Sequence, residues 1–403
     1  MSTTADGREE TTVNYAAAER MNSLPFSGIR KMMEKATKMQ QAGERVIHLE
    51  IGRPDFDTPE RIKRAADESL AQGHVFYTSN YGTPELRTAI ADKMREKNRV
   101  GYDPSEVLVT VGVGEGTFAG MAAFLNPGDE VLVPNPVWLN YIHVPESLGA
   151  VPSTYSLKEE NDYQVDFAEL ESKITSRTKM LVLVDPSNPT GGVFSRETLD
   201  RLADTARKHD LLVLSDEIYE RLVYDGVEHV SIASLPGMKE RTITLGGMSK
   251  AYSMTGWRLG YLCAPCEIVQ ACVRIHQYTV TCAPSFVQDA SVVALRECDE
   301  DVEAMRREYQ RRKDYVVKAI NAIDGLSCNN PKGAFYVFVN VKSLGRSSAE
   351  VAEYMLDHAK VALVPGSAFG SEGEGYLRLS YAAAYEELVE ACERIEKAVQ
   401  ELR

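Results

Sequence analysis

The sequence predicts an α/β fold: a large unit on a mostly parallel central sheet, with a smaller α+β unit beside it. Three observations carry this. Between residues 61 and 298, short apolar runs alternate with amphipathic helical stretches, the pattern of strands joined by crossover helices. The runs are nearly continuous in Val, Leu and Ile, as suits strands covered on both faces. After about residue 300 the texture changes to one long charged stretch followed by mixed strands and helices.

In chain order, the polar, acidic segment 1–26 reads as a mobile arm without an apolar signal-peptide core. A helix over 27–39 and a strand over 46–51 come next, and residues 27–60 are expected to join the small unit. Strands are expected at 107–111, 130–133, 180–184, 211–214 and 242–245, with helices such as 115–124 and 196–209 between them. Residues 61–300 thus form the large unit. Residues 300–323 read as a long charged helix linking it to a small unit over 301–403. That unit has strands at 334–339, 361–364 and 376–380 and helices near 349–358 and 386–402.

A chain of 403 residues can bury a large core divided over two units. The net charge of −14, with no basic patch to offset it, argues against a nucleic-acid partner. No apolar run approaches the ~18 residues of a membrane span. Seven scattered cysteines are expected as buried small hydrophobes in a reducing cytoplasm. Cys263 and Cys266 have CxxC spacing but no second pair at zinc-ligand distance, so no metal site is expected.

Ligands of open α/β sheets sit at the carboxyl ends of the strands, and here those ends run into polar or glycine-rich turns. After 107–111 comes Gly112-Val113-Gly114-Glu115-Gly116-Thr117. Thr117 breaks a dinucleotide GxGxxG pattern, and a phosphate cradle at a helix N-terminus is the better reading. Trp138, past the strand at 130–133, either stacks on a flat heteroaromatic ring or packs in the core. Asn188 lies between Pro186 and Pro189 in a rigid turn that could fix its amide toward a phenolate-type oxygen, or is a plain Asn-Pro turn.

Asp216, at the tip of a buried strand, needs a positive partner such as a protonated pyridinium nitrogen, unless it is a solvated loop acid. If a helix starts there, Tyr219 shares its face and reaches the same ring. Lys250 sits between small residues after the 242–245 run, and Arg258 follows eight positions on. An amine nucleophile beside a phosphate clamp is what holds a phosphorylated aldehyde as a Schiff base, and pyridoxal 5′-phosphate is the common one.

Taken together, these residues resemble the class I/II aminotransferases, fold-type-I pyridoxal-phosphate enzymes, from about residue 28 to the C-terminus. The blocks, in order, are Gly52-Arg53-Pro54-Asp55-Phe56-Asp57-Thr58-Pro59, residues 77–82, the Gly112 loop, Trp138 and Ser187-Asn188-Pro189-Thr190-Gly191. Ser215-Asp216-Glu217-Ile218-Tyr219, Ser249–Tyr261 and Tyr376-Leu377-Arg378-Leu379-Ser380 complete them.

The resemblance implies that Lys250 bonds the cofactor aldehyde and shuttles the substrate proton, while Asp216 holds the pyridinium nitrogen. Asn188 and Tyr219 would bond the ring oxygen, and Trp138 would stack on the ring. Arg258, Ser249 and the amides of Val113 and Gly114 would hold the phosphate. Arg378 would pair with the substrate α-carboxylate and Gly52 would line the substrate.

Tyr77 would reach the phosphate of a neighbouring subunit, implying a homodimer with shared sites. Gly247 departs from branches that carry a second Ser or Thr there, which removes one phosphate contact. Arg53 replaces a glutamate frequent in relatives and faces either a distal substrate carboxylate or an exposed ion-pair partner. The implied reaction is ping-pong transfer of an amino group from aspartate or an aromatic amino acid to an oxo acid such as 2-oxoglutarate. A C–S β-lyase on the same fold is the alternative.

Overall fold

The computed structural model describes residues 16–26 and 28–402, so most of the expected N-terminal arm lies outside the described residues. Among the described residues twelve strands form three sheets: β1 (Ile47–His48), β2 (Val107–Thr110), β3 (Glu130–Asn135), β4 (Val151–Ser156), β5 (Thr178–Val184), β6 (Leu212–Asp216), β7 (Thr242–Gly247), β8 (Gly260–Cys263), β9 (Tyr336–Asn340), β10 (Val361–Ala362), β11 (Val364–Pro365) and β12 (Tyr376–Ser380).

The central sheet has seven strands in the order β2-β8-β7-β6-β5-β3-β4, all running one way except β8. The sequence reading found five of the seven. It missed β4, whose first four residues, Val151-Pro152-Ser153-Thr154, are exposed or half-exposed and form no apolar run, and β8, a short strand within the apolar stretch after Arg258.

Apolar residues on the two faces of this sheet feed different cores. Val131, Val133, Val182, Leu214, Leu245 and Leu262 pack under the helices Val113–Phe124 and Cys266–Thr279. Leu132, Leu181, Leu183 and Val213 face the other way, against Leu199, Leu202 and Ala206 of the helix Arg196–Lys208. That period-two split is why the strands read as unbroken apolar runs. At about 25 cal/mol per Å² of buried apolar surface, two-sided cover of this kind is the main stabilising contribution of a sheet this size.

The helix Asp299–Ala322 is as long as its charged pattern predicts, with acids at its N-terminal turn where the helix dipole favours them. Beyond it, β9 pairs antiparallel with β12, and β12 with β11, as one three-stranded sheet. The 46–51 strand shrinks to β1, which pairs in parallel with β10 and so ties the N-terminal stretch to the C-terminal unit. The 361–364 strand divides between β10 and β11, and the helix at 348 ends in a π turn over Met355–Ala359. All seven cysteines are free, and five are buried, whereas Cys266 and Cys282 are half-exposed. Among the described residues no helix is long and apolar enough to cross a membrane.

Candidate active site

One edge of the central sheet gathers the carboxyl ends of β2, β3, β5, β6 and β7, and the turns that follow them meet in a cleft of about 360 Å³. Of the residues expected at a site, Gly52, Val113, Gly114, Trp138, Asn188, Asp216, Tyr219, Ser249, Lys250, Arg258 and Arg378 all line it. Tyr77 does not; it is 87% exposed. Trp138, Asn188 and Asp216 all border the cleft, and Trp138 also packs against the cores on both faces of the sheet.

The Gly112 turn acts through its backbone. Gly112 has φ +80°, and a side chain there would collide with the Arg258 guanidinium. The following helix starts at Val113, two residues earlier than the sequence suggests, with no side-chain cap. Its first amides therefore point into the cleft without intrahelical partners, and the helix dipole adds positive potential there. Gly260 lets β8 press against this turn, where a Cβ would come within 2.7 Å of the Val113 nitrogen. Arg258 is itself left-handed at φ 57° and donates to the Thr255 carbonyl at 3.0 Å.

Asp216 ends β6 fully buried. Its carboxylate accepts the Tyr141 hydroxyl at 2.6 Å and the Ile218 amide at 3.1 Å. Burial pushes its carboxyl above the ordinary range, and those two donors with the Lys250 charge only partly pull it back. No helix begins here. Residues 217–221 form a turn, with Leu222 N–H donating to the Tyr219 carbonyl at 2.8 Å. Tyr219 still reaches the cleft, its hydroxyl 2.7 Å from that of Tyr336.

Lys250 follows β7. Its amine donates to the Gly52 carbonyl at 2.6 Å and lies 5.6 Å from the centre of the Tyr219 ring. Burial, then Arg378 and Arg258, lower its pKa to about 8 against the opposing pull of Asp216. Neutral amine is therefore abundant near pH 8, as a nucleophile or base requires.

Arg378 on β12 is 1% exposed, an unusual depth for an arginine. It donates to the Asn188 side-chain oxygen at 3.0 Å and to the Glu50 carbonyl at 2.6 Å, and its Nε has no partner among the described residues. Among the described residues no carboxylate is hydrogen-bonded to it, so a buried charge with one unpaired donor lines the cleft. Because arginine only donates, the Asn188 oxygen is committed to it and the Asn188 NH₂ is left for a ligand.

Sequence reasoning missed Thr117, Asn140, Tyr141, Thr255, Tyr336 and Ile29, which also line the cleft. Tyr141 and Tyr336 are buried aromatics in ordinary helix and strand patterns, indistinguishable from core residues in a sequence. Arg53 lines the cleft as an exposed side chain, and among the described residues it makes no ion pair.

Comparison with known proteins agrees with this geometry. The family model for aminotransferase class I and II matches residues 44–395. The chain is 46% identical to an aspartate aminotransferase of Pyrococcus abyssi, covering 96% of this chain and 99% of that one. It is equally 46% identical, with the same coverage, to aromatic-amino-acid aminotransferase 2 of Thermococcus litoralis. The solved aspartate aminotransferase of Rhizobium meliloti superposes with a TM-score of 0.93 at 38% identity, over 96% of this chain and 99% of that one. With fold, cleft and relatives in agreement over nearly the whole length, the chain belongs to the class I and II aminotransferases and is an aminotransferase.

Proposed function

We propose that this aminotransferase uses pyridoxal 5′-phosphate, takes its amino group from aspartate or an aromatic amino acid, and passes it to 2-oxoglutarate. The observation that carries the reading is the donor set of one cleft. A buried carboxylate, a lysine depressed to about pH 8, a helix N-terminus with an arginine, and a second buried arginine line the same 360 Å³.

That set matches the cofactor's ring nitrogen, aldehyde and phosphate in turn. Asp216 would hold the ring-nitrogen proton, since a cationic partner is what a carboxyl raised by burial lacks. The Asn188 NH₂ and the Tyr219 phenol would donate to the ring oxygen, and Trp138 would lie against the ring. Ser249, Arg258 and the amides of Val113 and Gly114 would take the phosphate.

When bound, the cofactor supplies an electron sink for the charge left on the substrate α-carbon. The protein's own steps follow from position. Arg378 binds the substrate α-carboxylate and fixes which bond to the α-carbon points at Lys250. The Lys250 Nζ would take the proton from the substrate α-carbon and deliver it to the carbon that carried the cofactor's aldehyde oxygen, across the amino nitrogen. Run forward with one amino acid and backward with one oxo acid, this is a ping-pong cycle.

The relatives named above divide between aspartate and aromatic donors. Arg53, which lines the cleft without an ion-pair partner among the described residues, supports a distal carboxylate as one accepted group. The chain is further read as a homodimer with shared sites: Tyr77 and Phe76 are 87% and 81% exposed, more aromatic surface than an isolated soluble chain usually shows.

The test is a half-reaction panel, mixing the cofactor-loaded protein with one amino acid at a time and no acceptor. One equivalent of oxo acid, with a matching change in the visible spectrum, supports transamination, and the fastest donor names the substrate. Continuous release of ammonia and oxo acid with an unchanged spectrum would establish the C–S β-lyase instead.

A further inference from the structure

We propose that Tyr336 is a positioning residue that sets two groups of the cleft at once, the Tyr219 phenol and the Arg378 guanidinium. The inference rests on the cofactor reading above and goes beyond it, since nothing in the sequence pattern marks Tyr336.

Tyr336 opens β9 opposite Ser380 of β12, two positions from the Phe338–Arg378 pair. Residues two apart on a strand share a face, so the Tyr336 ring and the Arg378 side chain are diagonal neighbours on one side of the sheet. The guanidinium carbon lies 4.5 Å from the centre of that ring. This is cation–π distance, and the tyrosine is 1% exposed, so the contact is desolvated. Arg378 is thereby supported from beneath while Asn188 and the Glu50 carbonyl hold its ends.

The other end of Tyr336 addresses Tyr219. The two hydroxyls are 2.7 Å apart and the rings meet edge to face with centres 5.8 Å apart. Burial holds both phenols protonated, so one must donate and the other accept. Either hydroxyl can donate across this pair; once the Tyr219 proton is given to the cofactor's ring oxygen, Tyr336 is left to donate, and it then holds the Tyr219 oxygen from the β9 side. The same hydroxyl explains Gly52: a Cβ there would collide with it, although Gly52 must bring its carbonyl to Lys250. A single strand residue thus fits against three cleft positions supplied by separate segments of the chain.

Two substitutions in the cofactor-loaded protein test this. Tyr336→Phe keeps the ring and removes the hydroxyl. The pH midpoint of the visible cofactor band should rise by roughly half a unit to one unit, in the direction Tyr219→Phe moves it. In Tyr219→Phe/Tyr336→Phe the second change should add nothing, because the two act through one bond. The KM for amino donors should stay as it was.

Tyr336→Leu removes the ring, and it should raise KM for every amino donor about 2–30-fold with a smaller change in kcat. A Tyr336→Phe midpoint equal to the unaltered protein's, while Tyr219→Phe shifts it, overturns the inference alone. Additive shifts in the double variant overturn it as well. Absence of any titrating visible band in the unaltered loaded protein overturns the cofactor reading, and this inference with it. If Tyr336→Leu does not fold, the Tyr336→Phe midpoint decides.

Discussion

In the proposed reading Lys250 is the residue on which the chemistry turns, and its environment makes that chemistry pH-dependent. An ordinary lysine at neutral pH is almost wholly charged and neither attacks a carbonyl nor takes a proton. Burial beside two arginines lowers this one to about 8. The sign is that of a base whose charged form is disfavoured: the active, neutral amine grows as pH rises through 8 and is lost as pH falls below it. Uptake of pyridoxal phosphate by the cofactor-free protein should therefore accelerate with pH to a plateau above about 8, followed by growth of the visible band. Lys250→Ala should show no such band and lose turnover by several orders of magnitude; a variant that keeps full turnover would refute the assignment. Arg53 gives a subtler expectation. An exposed arginine at the mouth cannot affect the reacting atoms, but it can meet a second carboxylate. Arg53→Gln should raise KM for aspartate and 2-oxoglutarate about 3–10-fold, as loss of a partly solvated charge-assisted bond would, and leave phenylalanine unchanged. Equal losses for both donors would mean that Arg53 has no distal role.

Elements explain why these residues meet at all. Five parallel strands end along one sheet edge, so each turn after a strand supplies one or two groups to a common cleft. That rule made most of the site legible in the sequence: Trp138, Asn188, Asp216 and Lys250 each stand just beyond an apolar run, among turn-forming or small residues. What was not legible has physical reasons. β4 pairs on one side only and its outer residues are half-exposed, so its pattern lacks the doubly buried signature. Tyr141 is buried from a helix interrupted by Pro145, and Tyr336 opens a strand, so nothing local separates either from ordinary core. The Gly112 turn makes the sharpest test of an element. Its φ of +80° is natural only for glycine, and its missing side chain gives room to Arg258. Gly112→Ala should weaken pyridoxal-phosphate binding about tenfold or more and destabilise the fold by about 1–2 kcal/mol. Thermal melts with and without the cofactor would separate the two effects. Cofactor affinity equal to the native protein's would show that the turn does not cradle the phosphate.

At the scale of the whole molecule, the cleft joins parts that are distant in the chain. The helix Gly28–Gln41 contributes Ile29, the central sheet contributes the acid and the lysine, and the antiparallel C-terminal sheet contributes Arg378 and Tyr336. Tyr77 and Phe76 stand outside this convergence with their rings in solvent, a costly placement for two aromatics unless another surface covers them. In a twofold dimer, each chain would lend Tyr77 to the cleft of the other. The consequence can be tested without any further structure. Lys250→Ala and Tyr77→Ala chains should each be strongly impaired alone. Unfolded together and refolded as a mixture, half of the dimers would pair one of each. In such a pair one cleft carries both defects, while the other has an intact lysine and an intact tyrosine from its neighbour. Activity should then return to about a quarter of that of the unaltered protein, half of the clefts in half of the dimers. A mixture no more active than the average of its two parents would mean that each chain completes its own site, and that the exposed aromatics at 76 and 77 serve some other contact.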